Sequence, residues 1–144
     1  MAVPLSELKT ELQTDPNGLG YAPLTSSGQT KATADLINTV QSTAAYLVFF
    51  PTVTSYAVHA AFDPTEFATL AALSLNQLSV MLSGGLVNSA SSSTRTILLN
   101  IFTGMPTTRG NLAAVMRRQG SRAEVLWGIG TIVMQDEVER ALRS

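Results

Sequence analysis

Positions 36–94 hold fifty-nine residues and two charged side chains, Asp63 and Glu66, while the other eighty-five residues carry the remaining seventeen charges. An ordinary globular domain puts charge on about a quarter of its residues. A stretch so poor in charge must be hidden in a core, in lipid, or against other protein, and each choice implies a different kind of molecule.

Lipid fits worst. The most apolar window, residues 44–62, has fourteen apolar residues of nineteen, but Pro51, Thr52, Thr54, Ser55 and His59 interrupt it and its longest unbroken apolar run is seven residues. A spanning helix needs about twenty predominantly apolar residues. A membrane partner is therefore not expected. The first residues lack the basic and apolar regions of a signal peptide, which argues against export by that route.

The 144-residue chain has a net charge of −1, so no overall basic field favours nucleic acid or an anionic surface. Charge is unevenly placed. All seven arginines lie between 95 and 143, and both lysines lie in the first thirty-one residues. There is no cysteine, which removes disulfides and thiolate metal sites.

Helical periodicity dominates. Pro4 and Ser6 open a helix with Leu5, Leu8 and Leu12 on one side and Glu7, Lys9 and Glu11 on the other, stopped by Asp15-Pro16-Asn17-Gly18. Gly18-Leu19-Gly20-Tyr21 reads as a turn, Thr25 to Gly28 as a second loop, and 29–38 as a helix with Ala32, Leu36 and Ile37 inward. A further helix is expected up to Phe49, then a short extended piece after Pro51.

Asp63-Pro64-Thr65-Glu66 has the form of an N-cap, a first-position proline and a capping-box glutamate. It opens a helix with Phe67, Leu70, Leu73 (or Ala71), Leu78, Met81 and Leu82 on one face, ended by Gly84-Gly85. The opposite face, Thr69, Ser74, Asn76, Gln77 and Ser79, is polar without charge and suits a protein neighbour better than bulk water. After a small-residue linker, 89–93, three helices open on Thr94-Arg95, Thr108-Arg109 and Ser121-Arg122-Ala123-Glu124, the last a full capping box. Arg117-Arg118 is placed at a helix C-terminus, and a last helix covers 136–143.

An arginine in a first helical turn faces the positive end of the helix dipole, so three such placements imply partners for the guanidinium groups. Pairing with carboxylates or carbonyls, within a subunit or across an interface, is favoured over phosphate contact, because neither interleaved aromatics nor a basic excess is present. The single histidine, His59, has only Asp63 near it at i+4, which makes it a packed or interfacial ring and not a metal ligand or base. No nucleophile elbow, phosphate loop or zinc-protease motif occurs. Trp127 beside Gly128 reads as a core or interface anchor. No catalytic, cofactor or metal residues are assigned, and an enzyme is not expected.

The segment Leu8-Lys9-Thr10-Glu11-Leu12-Gln13-Thr14-Asp15-Pro16-Asn17-Gly18-Leu19-Gly20-Tyr21-Ala22 resembles the opening of a family of small proteins encoded by tailed bacteriophages and prophages, often among their virion genes. Thr94-Arg95 with Leu98-Leu99 and Phe102, Thr108-Arg109 with Asn111-Leu112, and Ser121-Arg122-Ala123-Glu124 with Leu126 and Gly128 are similar to that family's second half. The resemblance covers both ends of the chain and leaves out 41–59. It implies a phage setting and little mechanism.

The expectation is an all-α fold, a compact bundle of five to seven short helices with one short extended segment near 52–58. It forms one domain over 1–144: a helix–loop–helix at 1–40, a charge-poor region at 41–88 and an arginine-containing region at 94–144. The expected role is a multi-copy assembly or adaptor protein of the head–tail connection or tail of a virion, made in the host bacterial cytoplasm. It contacts identical copies and other virion proteins through Tyr46, Phe49, Phe50, Phe67, Leu70, Leu78, Met81, Trp127, Arg95, Arg109 and Arg122. The alternatives are a capsid-surface or minor accessory virion protein, a nucleic-acid-binding accessory factor using the late arginines, or a membrane-active protein using 44–62.

Overall fold

The computed structural model describes residues 3–144. In chain order its elements are α1 (Leu5–Thr14), α2 (Tyr21–Ser26), α3 (Thr30–Asn38), a 3-10 turn (Ala44–Tyr46), β1 (Leu47–Phe49), β2 (Val53–Thr54), α4 (Ser55–Ala60), α5 (Pro64–Phe67) and α6 (Ala72–Leu82). There follow β3 (Leu86–Val87), α7 (Ser92–Ile101), α8 (Pro106–Met116), β4 (Arg117–Gln119), α9 (Arg122–Trp127) and α10 (Gln135–Arg143). The chain is mostly helical, as expected, but ten α-helices among the described residues replace the five to seven foreseen, and two small sheets are added. β2 pairs antiparallel with β3, Val53 opposite Val87 and Thr54 opposite Leu86, while β1 pairs with β4. The described residues gather into two compact units, those up to Val48 together with those from Gln119 on, and residues 49–118.

In the first unit, α1, α3, α9 and α10 close on Leu8, Leu12, Tyr21, Ile37, Val133 and Val138. Full burial of each aliphatic side chain stabilises by about 1.5–3 kcal/mol. The turn after α1 is built as its residues suggest. Asp15 takes a left-handed φ of 41°, and its carboxylate accepts from the Leu19 and Gly20 amides at 2.7 and 2.8 Å. Asn38 clamps the segment before α10, its amide donating to the Val133 carbonyl at 2.8 Å and accepting from the Val133 amide at 2.9 Å. Ser121 and Glu124 form the expected capping box.

Gly120 stands where two chain segments approach closely. A Cβ there would lie 2.9 Å from a Val48 methyl and 3.3 Å from the Tyr46 carbonyl oxygen, while its amide donates to that carbonyl at 2.8 Å. A side chain at this position would have to displace the Val48 methyls.

The second unit packs Val58, Phe62, Leu78, Val87, Leu98, Phe102, Leu112 and Met116 together. Phe62 stacks on Phe67 at 5.5 Å and meets Phe102 at 4.9 Å. Three local expectations are corrected here and at the edge of the first unit. The helix expected up to Phe49 is a 3-10 turn followed by strand β1, because the β-branched and aromatic run before Pro51 prefers extended backbone. The extended segment shrinks to Val53–Thr54, since the Thr54 hydroxyl accepts from the Ala57 amide at 3.1 Å and caps α4.

The long helix expected from Asp63 is broken between α5 and α6. Asp63 caps α5 as foreseen, accepting from the Thr65 and Glu66 amides at 3.0 Å. Glu66 does not close a capping box. Its carboxylate accepts instead from the Thr108 amide at 2.6 Å and the Thr107 amide at 3.4 Å, while the Asp63 amide donates to the Thr108 hydroxyl at 3.0 Å. The acid of one helix start thus serves the N-terminus of α8, where the helix dipole favours a negative charge.

Candidate functional site

Two surfaces of the second unit carry the features expected of an interaction site. The first is α6. Leu78 alone of its residues is buried, and Met81 and Leu82 are half-buried. Leu73 is 71% exposed and Val80 76% exposed, with Leu75 and, from α7, Ile97 also open. The exposed face therefore mixes aliphatic side chains with uncharged Asn76, Gln77 and Ser79. The sequence separates these two sets onto opposite faces, and the structure places them together. A shallow groove of about 500 Å³ runs between Gln77, Val80, Met81 and Ile97. No charged side chain occurs from 67 to 94.

The second surface gathers arginines. Arg95 and Arg109 each stand fourth in their helices, α7 and α8, which begin two or three residues earlier than their threonines suggest. The Ser91 hydroxyl caps α7, accepting from the Thr94 amide at 3.3 Å. Arg95 lies over the Phe49 ring, its Cζ 3.7 Å from the centroid, and donates to the Ser89 carbonyl at 2.8 Å. Ser89, expected in a loose linker, is fully buried and donates to the Phe50 carbonyl. Arg117, expected at a helix C-terminus, is in strand β4. Phe49, Arg95, Arg109 and Arg117 line a cleft of about 250 Å³ floored by Leu112 and Met116.

The remaining expected interface residues are placed differently. Tyr46 and Leu78 are buried and belong to the interior of their own units. Phe50, Phe67 and Leu70 are half-buried, Phe67 and Leu70 against the second core. Trp127 packs against the first core and its indole N–H donates to Glu7 at 2.8 Å. Arg122 is bound to Glu11, which the helix pattern puts on the exposed side of α1 and which is instead buried. Its Nε and Nη2 donate to the two carboxylate oxygens at 2.7 and 3.0 Å. That bond keeps the guanidinium charged above its ordinary range. The Tyr21 hydroxyl donates to the same carboxylate at 3.3 Å, and burial beside that acid raises the phenol well above its usual value.

His59 is exposed, tilted against the Phe62 ring and edge-on to Phe67. No group of three or more potential metal ligands occurs among the described residues, and none of the described helices is long and apolar enough to cross a membrane. The Arg109–Arg117 cluster was not foreseen as a group. It forms where α8 gives way to β4, a change of backbone that the helical pattern does not announce. No protein family, curated protein or solved structure matches this chain.

Proposed function

We propose that this protein is a multi-copy structural component of a tailed-phage virion, of the head–tail connection or the tail, and that it acts through protein–protein contacts. The observation that carries the reading is the open face of α6, where Leu73 and Val80 are more than two-thirds exposed on a stretch without a charge. Apolar area left in water forgoes roughly 25 cal/mol per Å² that a covering surface would recover. Uncharged aliphatic and amide side chains suit the buried centre of an obligate interface, from which charge is depleted. The phage setting is supported by the resemblance of both ends of the chain to a virion-associated family.

Light scattering on the intact protein tests the contact. Several copies per particle are expected, and Leu73→Glu with Val80→Glu reduces the mass while the circular dichroism spectrum is kept. A wild-type monomer at every concentration contradicts the reading.

A further inference from the structure

The second unit holds four arginines against Asp63 and Glu66, and both acids already serve helix starts. The first unit is the converse, with eight carboxylates against five cationic side chains. Within these opposed balances, a few charges have no partner. The side chains of Arg109 and Arg117 make no hydrogen bond or ion pair among the described residues, although both line the cleft beside Phe49. Arg95, the third arginine there, is held in place by Phe49 and the Ser89 carbonyl and so stiffens one wall.

On the first unit, one side-chain carboxylate stands alone among the described residues. Glu7, Glu11, Asp15, Asp35, Glu124, Glu137 and Glu139 each accept from a named donor, and Asp136 accepts from none of the described residues. Arg140, one turn further along α10, forms no ion pair with it. Asp136 follows two protruding apolar side chains, Ile132 at 63% and Met134 at 57% exposure.

We infer that the arginine cleft of one copy receives the segment from Ile132 to Asp136 of a second copy. The apolar floor of Leu112 and Met116 takes the Met134 side chain, and Arg109 and Arg117 meet the Asp136 carboxylate. Both halves need what the other has: an apolar cleft with unpaired guanidinium groups, and an apolar ridge ending in an unpaired acid. The two patches differ, so every copy offers both a cleft and a ridge to its neighbours. Nucleic acid fits less well, since the aromatic ring in the cleft is already covered by Arg95 and offers no open face for a base to stack on.

This inference rests on the multi-copy reading, and sedimentation velocity on the full chain separates the two. Wild type is expected to sediment as a multi-copy species, while Asp136→Arg and Arg117→Asp each give a smaller one, with association weakened about tenfold or more. An equal mixture of the two variants sediments faster than either alone, because a junction between unlike variants pairs opposite charges. Single variants as large as wild type overturn this contact and leave the multi-copy reading standing, and so does a mixture that stays small. A wild-type monomer at all concentrations overturns both. Salt-dependent binding of a short duplex DNA, lost in Arg117→Asp with the oligomer size unmoved, assigns the cleft to nucleic acid and overturns the contact.

Discussion

Arg122, the first residue of α9, grips the Glu11 carboxylate of α1 through both Nε and Nη2, with side-chain exposures of 13% and 5%. A pair this far from water is costly to break from one side, because the survivor keeps its charge without its partner. Arg122→Ala is expected to destabilise the first unit by about 3–5 kcal/mol. Replacing both residues with apolar side chains, as in Glu11→Leu with Arg122→Met, should recover most of that. Denaturant titration of the three chains checks it, and equal losses in the single and paired variants would remove the pair from the account.

The same carboxylate sets an alkaline limit. Burial and Glu11 raise the Tyr21 phenol above its ordinary value of 10.0. Above that pH the unfolded chain loses the phenol proton while the folded chain keeps it. Stability from this group is therefore complete below the ordinary value and declines as pH rises past it. Tyr21→Phe should flatten the alkaline decline in melting temperature, measured against wild type between neutral and strongly alkaline pH.

Gly120 is predicted to reject even a methyl group. Gly120→Ala should cost about 1–3 kcal/mol through overpacking against Val48. Trimming the neighbour, as Val48→Ala, should make the alanine tolerable, so the two substitutions together should cost less than their sum. Thermal unfolding of the two single variants and the double variant measures this coupling.

Glu66 is predicted to stabilise α8 from outside that helix. Glu66→Ala leaves the Thr107 and Thr108 amides without their acceptor and should cost about 1–2 kcal/mol, with Glu66→Gln losing less because it keeps a hydrogen-bond acceptor. Amide hydrogen exchange should show faster exchange at the start of α8 and little change in α6.

Much of this fold is legible in local signals. The Asp15 turn, the Asp63 cap with Pro64, the Ser121–Glu124 capping box and the left-handed Gly85 act over a few residues, and each is found in its expected place. What could not be read depends on contacts distant in sequence. Glu11 looks solvent-facing until Arg122 arrives from 111 residues away. Glu66 looks like its own helix's cap until Thr108 offers a buried amide.

The candidate site follows the same division. The missing charge of α6 is visible in the sequence, but which aliphatic residues remain open is not. The break after Phe67 turns the helix, so Leu73 and Val80 face outward and Leu78 inward. The arginine cleft needs α7, α8 and β4 assembled before it exists.

The proposed role makes this chain a repeated building element of a virion. Quantitative mass spectrometry on washed, density-purified particles, counted against the major capsid protein, tests it most directly. A fixed number of copies per particle is expected, greater than one and constant between preparations. Loss of the protein from particles during purification, with the protein recovered only in the lysate, would contradict it.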